Sequence, residues 1–239
     1  MAEQKAQPVI WARPRPSRGP APKITLEELA RHAIEIADEE GIDGLTMRRL
    51  GAGLGRGTMS VYRQIQSKSD LIDLMLDEAV GEIELVSHDT WREGLHWLGH
   101  TIRDHALRHP WMLMLLNEGP YFGPKGIGYT EHVLGLMSEL DLPIDEIMLA
   151  IGLVNSYARG FARQEVAQTR RLAEVGLTVE EWMRLNSGYV RGLLESGKYP
   201  QFNRVIIEAE QPHMVQDEAF EYGLQRVLNG VAAGLPGAS

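Results

Sequence analysis

The chain has 239 residues, 44% hydrophobic and 24% charged, with a formal net charge of −9. That is the composition of a folded globular protein with room for one or two domains. There is no cysteine, which excludes disulfides, thiolate metal sites and thiol catalysis. Nothing approaches the run of about 18 apolar residues that a membrane span needs, and Pro and Arg stand where a signal peptide would be apolar. A cytoplasmic protein with no membrane partner is expected. The acidity is uneven: residues 1–68 hold 11 Lys/Arg against 8 Asp/Glu, whereas residues 69–239 hold 13 against 25. A basic end on an acidic body fits a nucleic-acid reader whose body repels DNA and binds something else.

Residues 1–23 contain Pro8, Pro14, Pro16, Pro20 and Pro22, and this density predicts a segment that is neither helical nor packed. From Arg13 to Arg18, cations alternate with prolines. Such a disordered basic arm can follow a narrow minor groove. It is equally readable as a solvated tail with nonspecific attraction to phosphate.

Thr25 with Glu28 three residues on forms a capping box. It opens a helix whose inward stripe is Leu29, Ala33, Ile36 and Ala37, with Leu26 and Ile34 near its edge. Its acids, Glu27, Glu28, Glu35 and Asp38, are expected to face away from any DNA, and Glu40-Gly41 ends it.

The stretch Leu45 to Lys68 carries Arg48, Arg49, Arg56, Arg63 and Lys68 and no acidic residue. It reads as two short helices around a glycine turn. The first, Thr46 to Leu54, has Leu45, Leu50 and Leu54 on its apolar side, and Gly55-Arg56-Gly57 breaks it. The second, Thr58 to Ile65, places Val61 and Ile65 inward. This is helix-turn-helix grammar, in which the second helix enters the major groove by its N-terminal end. Thr46, at a helix N-terminus, is suited to hold a phosphate through its hydroxyl and free backbone N–H groups. Arg48 points outward and can reach a base edge or a phosphate. Thr58, Met59 and Ser60 occupy the first turn of the recognition helix, Tyr62 carries a hydroxyl to the backbone, and Arg63 and Lys68 add charge contacts. Met59 is apolar, so a thymine methyl is its natural partner. Gly51 and Gly53 each cost roughly 1 kcal/mol relative to Ala inside the first helix. A close helix crossing would account for Gly51; nothing in the sequence accounts for Gly53.

The chain from Ile24 to about Ile83 resembles the DNA-binding domain of a TetR/AcrR-type repressor. The carrying residues are Glu40-Gly41, Gly44-Leu45-Thr46, Tyr62 and Lys68-Ser69-Asp70-Leu71 in that order and spacing. Positions matching that family's DNA contacts are Arg48, Thr58, Met59, Ser60, Tyr62, Gln64 and Lys68. The resemblance implies a homeodomain-like three-helix domain over 24–84. It also implies a helical-bundle ligand-binding and dimerisation domain over 85–239.

Ser67 to Asp70 is a second capping box, opening a helix expected to reach about Leu85 with Leu74 and Met75 inward. In the family that helix links the reading head to the body. A stripe of Trp91, Leu95, Leu98, Ile102 and His105 then runs to His109-Pro110. His96/His100 and His105/His109 are i, i+4 pairs, a spacing that can hold a metal. No HExxH motif or nearby carboxylate pattern completes either pair, so surface or core histidines and no metal are expected.

Trp111 to Leu116 reads as a short apolar helix, Asn117 to Gly128 as a Gly/Pro-rich loop with Tyr121 and Phe122, and Ile127 to Leu140 as a helix. Pro143 starts a long pattern of Ile144, Ile147, Met148, Ile151, Val154, Ala158, Phe161 and Ala162, interrupted by Asn155 and Arg159. Each apolar residue taken singly is a core residue. The resemblance turns the cluster of Leu98, Ile102, His105, Trp111, Met114, Met148, Ile151, Asn155 and Arg159 into an expected ligand pocket. Arg163 to Gly176 continues the helix. Thr178 to Glu181 is a third capping box, opening a helix with Trp182, Leu185, Tyr189 and Leu193 that ends by Gly197 to Pro200.

The last helix is expected from Asp217, with Phe220, Leu224, Val227, Leu228, Val231 and Leu235 as its stripe. Its sequence AFEYGLQRVLNGV resembles the last helix of tetracycline-repressor-like C-terminal domains. There it and the helix from Pro143 pair with their copies in a second subunit.

The expectation is an all-α homodimeric repressor that binds a pseudo-palindromic double-stranded DNA operator and is released by a small hydrophobic effector. An effector-independent architectural DNA-binding protein is the alternative. No nucleophile elbow, P-loop, dinucleotide fingerprint or zinc signature is present, so neither an enzyme nor a cofactor is expected.

Overall fold

The structure is a computed structural model and describes residues 8–13, 24–115, 123–208 and 215–235. Among them every regular element is helical, and the chain divides into two compact units, residues 1–159 and 160–239. The helices are α1 (Leu26–Glu40), α2 (Met47–Gly53), α3 (Thr58–Tyr62), α4 (Lys68–Val80), α5 (Trp91–Arg108), α6 (Met112–Leu115), α7 (Pro124–Gly135), α8 (Ile144–Val175), α9 (Val179–Glu195), α10 (Pro200–Glu208) and α11 (Gln216–Gly234). α8 runs from the first unit into the second.

Helix starts follow the caps. Thr25, Ser67, Thr90 and Thr178 each accept the third residue's backbone N–H, and the acid at that position reaches back in every case. These boxes satisfy N–H groups that the helix itself cannot. Gly41, Gly176 and Gly197 follow α1, α8 and α9 with positive φ, the region where a side chain is strained.

In the first unit, Leu29, Ala33, Ile36, Leu45, Leu50, Val61, Ile65, Leu71 and Met75 pack into one buried cluster built by α1 to α4. Ile34, placed near the edge of α1's stripe by the sequence, is buried as well. The same cluster takes in Trp111 and Met112, and Ile10 from the N-terminal segment. The expected unpacked arm is thus corrected over residues 8–13. Ile10–Ala12 form a single 3₁₀ turn with Ile10 buried and Trp11 packed against the core. The adjacent apolar side chains of Ile10 and Trp11 outweigh the proline content. Arg15 and Arg18 lie outside the described residues.

Several boundaries differ from the sequence reading. The recognition helix ends at Tyr62 rather than Ile65, although Val61 and Ile65 are both buried as expected. α4 ends at Val80, not near Leu85, because Gly81 caps it. α7 begins at Pro124, inside the expected loop, where proline suits a first helical turn. Tyr121 and Phe122 lie outside the described residues. Asp77 of α4 is buried and accepts the N–H groups of Lys125 and Gly126, 2.9 Å each, so α4 caps the N-terminus of α7. Lys125 also pairs with Glu78 at 2.6 Å.

Among the described residues of the second unit, Ala162, Phe220, Leu224, Leu228 and Val231 are buried, with the Phe161 and Phe220 rings edge to face at 5.3 Å. α10 has no counterpart in the sequence reading. The expected stripe of α9 is mostly exposed in the single chain, with Trp182, Leu185 and Tyr189 all open to solvent and Leu193 half-buried.

Candidate nucleic-acid interface

α2, the turn and α3 present the stretch from Thr46 to Lys68. Gly55 takes φ +62, which turns the chain between the helices. Gly51 is buried where α2 meets that turn, and a Cβ there would lie 3.0 Å from the Arg56 carbonyl oxygen. The reason for Gly51 is thus a close approach of the turn backbone to α2 rather than the crossing of another helix. Gly53, unexplained by sequence, faces the imidazole of His32 on α1, which occupies the space of a Cβ.

The Thr46 hydroxyl accepts the Arg49 N–H at 3.1 Å, so its oxygen caps α2 and its hydrogen remains available to a phosphate. Arg49 is tied to Glu40 at 2.7 Å, which removes one of the five cations from outward duty. Arg48, Arg56, Arg63 and Lys68 are exposed. In α3, Val61 and the following Ile65 anchor the helix inward while Met59 is 74% and Tyr62 48% exposed. Thr58, Ser60 and Gln64 are half-buried beside them. Nine residues, Thr46, Arg48, Thr58, Met59, Ser60, Tyr62, Arg63, Gln64 and Lys68, thus sit on or next to one short helix-turn-helix segment whose inner face is already occupied by core.

Two polar knots behind this surface were not legible in the sequence. The Arg13 guanidinium donates to both oxygens of Asp70, at 2.7 and 2.8 Å, and Asp70 also accepts the N–H groups of Gln66 and Ser67. Burial pushes the Asp70 carboxyl up, but the Arg13 bond and the two backbone N–H groups outweigh it and hold its pKa below the usual value. The second knot joins α1 to the region after α4 and α5. His109 Nδ1 lies 2.9 Å from Asp38, its Nε2 lies 3.1 Å from Glu82, and the Trp111 indole N–H donates to Asp38 at 2.8 Å. Asp38 therefore serves the interior joint rather than solvent. His105 is buried beside His109, with ring centroids 4.9 Å apart. Burial first, then the neighbouring His109, pushes it down to about 4, so it is neutral at pH 7.

The nine expected ligand residues differ in their surroundings. Leu98 and Ile151 are core, and Ile102 is half-buried. His105 and Trp111 belong to the joint just described, drawn there by the Asp38 and Glu82 carboxylates. Met114 and Met148 are exposed. Asn155 donates to the Ile151 carbonyl. Arg159 and Tyr129 face each other in the first unit: burial pushes Tyr129 up to about 12 and lowers Arg159, each partly offset by the other. A cavity of about 290 Å³ in that unit is lined by Ser87, His88, Thr90, His132, Leu136 and Glu139 among others. None of the nine lines it.

A short helix whose inner face is locked and whose outer face shows cations and hydroxyls, on an all-α scaffold, defines a helix-turn-helix DNA-binding protein. Residues 85–235 match the family described as tetracyclin repressor-like, C-terminal domain. The chain is 36% identical over 220 residues, 91% of its length and 80% of the relative's, to the HTH-type transcriptional repressor DrrR1 of Streptomyces coeruleorubidus. It is 23% identical to the class A tetracycline repressor protein from transposon 1721 of Escherichia coli, covering 88% of this chain and 91% of that one. Among solved structures it is similar to ActR from Streptomyces coelicolor in complex with actinorhodin, with a TM-score of 0.71 and 24% identity over 91% of this chain and 99% of that one. The chain belongs to the TetR family of transcriptional regulators. That family is one of transcriptional regulators, not enzymes, and the relatives named above include transcriptional repressors. Among the described residues no helix is long and apolar enough to cross a membrane.

Proposed function

We propose that this regulator binds a pseudo-palindromic operator as a homodimer, with one 24–84 reading head per half-site. A small, largely hydrophobic effector held within the 85–239 body releases it. The observation that carries the first part is the recognition helix: Met59 and Tyr62 are the exposed large side chains of a segment otherwise closed by core. In this reading Thr58, Met59 and Ser60 face base edges, with Met59 against a thymine methyl. Thr46, Tyr62, Arg63 and Lys68 hold phosphates, and Arg48 and Gln64 flank them.

Dimerisation is supported by α8. Leu149 and Leu153 are 70% and 56% exposed on a helix whose opposite side is buried through Ile147, Ala150, Ile151, Val154 and Ala158. A helix with two apolar sides calls for a second cover. Here α8 and α11 meet their copies.

An effector site in the body is supported by the ActR structures in complex with actinorhodin and (S)-DNPA. The effector lies against Arg159 and Tyr129. Arg159 has no ion pair among the described residues, so an acidic group on an otherwise apolar ligand matches it.

Gel-shift selection of genomic fragments across a salt series tests this reading. A single palindromic site that survives about 200 mM salt is the expected result. Binding that spreads over all fragments and fades with salt would replace it with the architectural alternative.

A further inference from the structure

We propose that Glu82, His105 and His109 form a binding site for one divalent transition-metal cation of the zinc class, seated at the joint between α4 and α5. The two histidines lie one turn apart at the C-terminal end of α5, and Glu82 stands in the turn that follows α4. One ligand atom from each residue lies within 4.8 Å of the other two. The His109 Nε2 to Glu82 Oε2 separation is 3.1 Å. Two donors on a tetrahedral ion at about 2.0–2.1 Å are roughly 3.3 Å apart, so this pair already stands near bridging distance. Two imidazoles and one carboxylate are the donor set of zinc and its first-row neighbours, with a fourth position left for solvent.

The independent observation is His105. The residue is 9% exposed, and its Nε2 has no hydrogen-bond partner among the described residues. A hydrogen bond to the Ala79 backbone holds the ring, which leaves the Nε2 lone pair as the unused group. An unsatisfied buried nitrogen is costly, and a cation satisfies it directly. The surroundings supply what histidine ligands require. Asp38 sits on the far nitrogen of His109, and the Trp111 indole N–H in turn orients Asp38. The negative end of the α5 dipole also points at the site. Arg108 reaches Glu82 at 3.7 Å, but its side chain is 65% exposed and free to turn away. Sequence spacing alone argued against a metal because the carboxylate comes from 23 residues before His105, across a helix packing.

The site is independent of the operator and effector readings, and its test does not involve DNA. Untagged full-length protein, stripped with chelator, is titrated with Co²⁺ and then with Zn²⁺. The expected result is one Co²⁺ per chain with the visible absorption of tetrahedral coordination, displaced by Zn²⁺ and accompanied by a rise in Tm. Glu82→Gln and His109→Gln abolish the band. Asp38→Asn weakens binding by about 10–100-fold, and the paired His96→Gln/His100→Gln variant leaves it unchanged. Glu82 is exposed, so its variant keeps the fold, which circular dichroism checks. Absence of a tetrahedral Co²⁺ spectrum in the unmodified protein overturns the proposal. So does binding that survives Glu82→Gln and disappears with His96→Gln/His100→Gln.

Discussion

The reading head and the second unit use apolar side chains in opposite ways. In the head, Leu29, Leu50, Val61, Ile65, Leu71 and Met75 are all closed off within about 50 residues of chain, and exposure is reserved for Met59 and Tyr62 on α3. In the second unit, α9 and α10 leave Leu185, Tyr189, Val205 and Ile207 open to solvent, and burial among the described residues is confined to Ala162 and one side of α11. The head completes its own core, so what it exposes is its working surface. The second unit leaves large apolar side chains open among its described residues, and such surface calls for a cover. The same word, exposed, therefore carries a different meaning in each region.

The largest expected effect breaks this contrast at α8, whose Leu149 and Leu153 share the open character of the second unit. Leu149→Glu with Leu153→Glu turns the protein into a monomer by light scattering. It lowers operator affinity by about 100-fold or more, because two heads no longer bind as one. A variant that stays dimeric would move the dimer contact elsewhere.

The next probes what closes the head. Arg13→Ala leaves Asp70 buried without its cation and destabilises the head by about 3 kcal/mol near neutral pH, measured by urea unfolding. Because the folded pKa of Asp70 is depressed, the ion pair's contribution is present above the unfolded value of 3.8 and is lost as pH falls through the folded one. The difference between wild type and variant should therefore shrink in that acid window, and a constant difference would assign Arg13 a packing role instead.

A smaller effect is expected from the working surface. Lys68→Ala weakens binding to operator and non-operator DNA about equally and lowers the salt slope by about 1, read from gel shifts at several salt concentrations. Loss confined to the operator would mean that Lys68 reads sequence. The smallest effect sharpens the account of Gly53. Gly53→Ala gains about 1 kcal/mol of helix propensity when combined with His32→Ala, and gains nothing while His32 fills that space. Equal gains in both backgrounds in thermal melts would remove His32 as the reason for the glycine.

Much of the head was legible because its signals are local. The capping boxes at Thr25, Ser67 and Thr178, the turn at Gly55, and the inward Val61 and Ile65 all follow from spacings of three or four residues. The helix of Pro200–Glu208 was missed, although its Phe202, Val205 and Ile206 recur at helical spacing. Gly197 to Pro200 reads as a helix end, yet Pro200 also opens this helix, since proline suits a first turn. The partners of His105 and Trp111, two members of the expected ligand cluster, were not legible, because they lie far along the chain.

The sequence by itself determined the family, the all-helical fold, the caps and the outward face of the recognition helix. Hydrogen bonds within a helical turn and core stripes at helical period are written in adjacent residues. Only the tertiary structure decided which charges are spent internally. Arg13 meets Asp70 from 57 residues away, Asp38 meets His109 from 71, and Asp77 caps α7 from 48. An ionisable side chain in a sequence is open to any partner. Packing brings distant acids and bases together where water is excluded, and there the nearest opposite charge takes it.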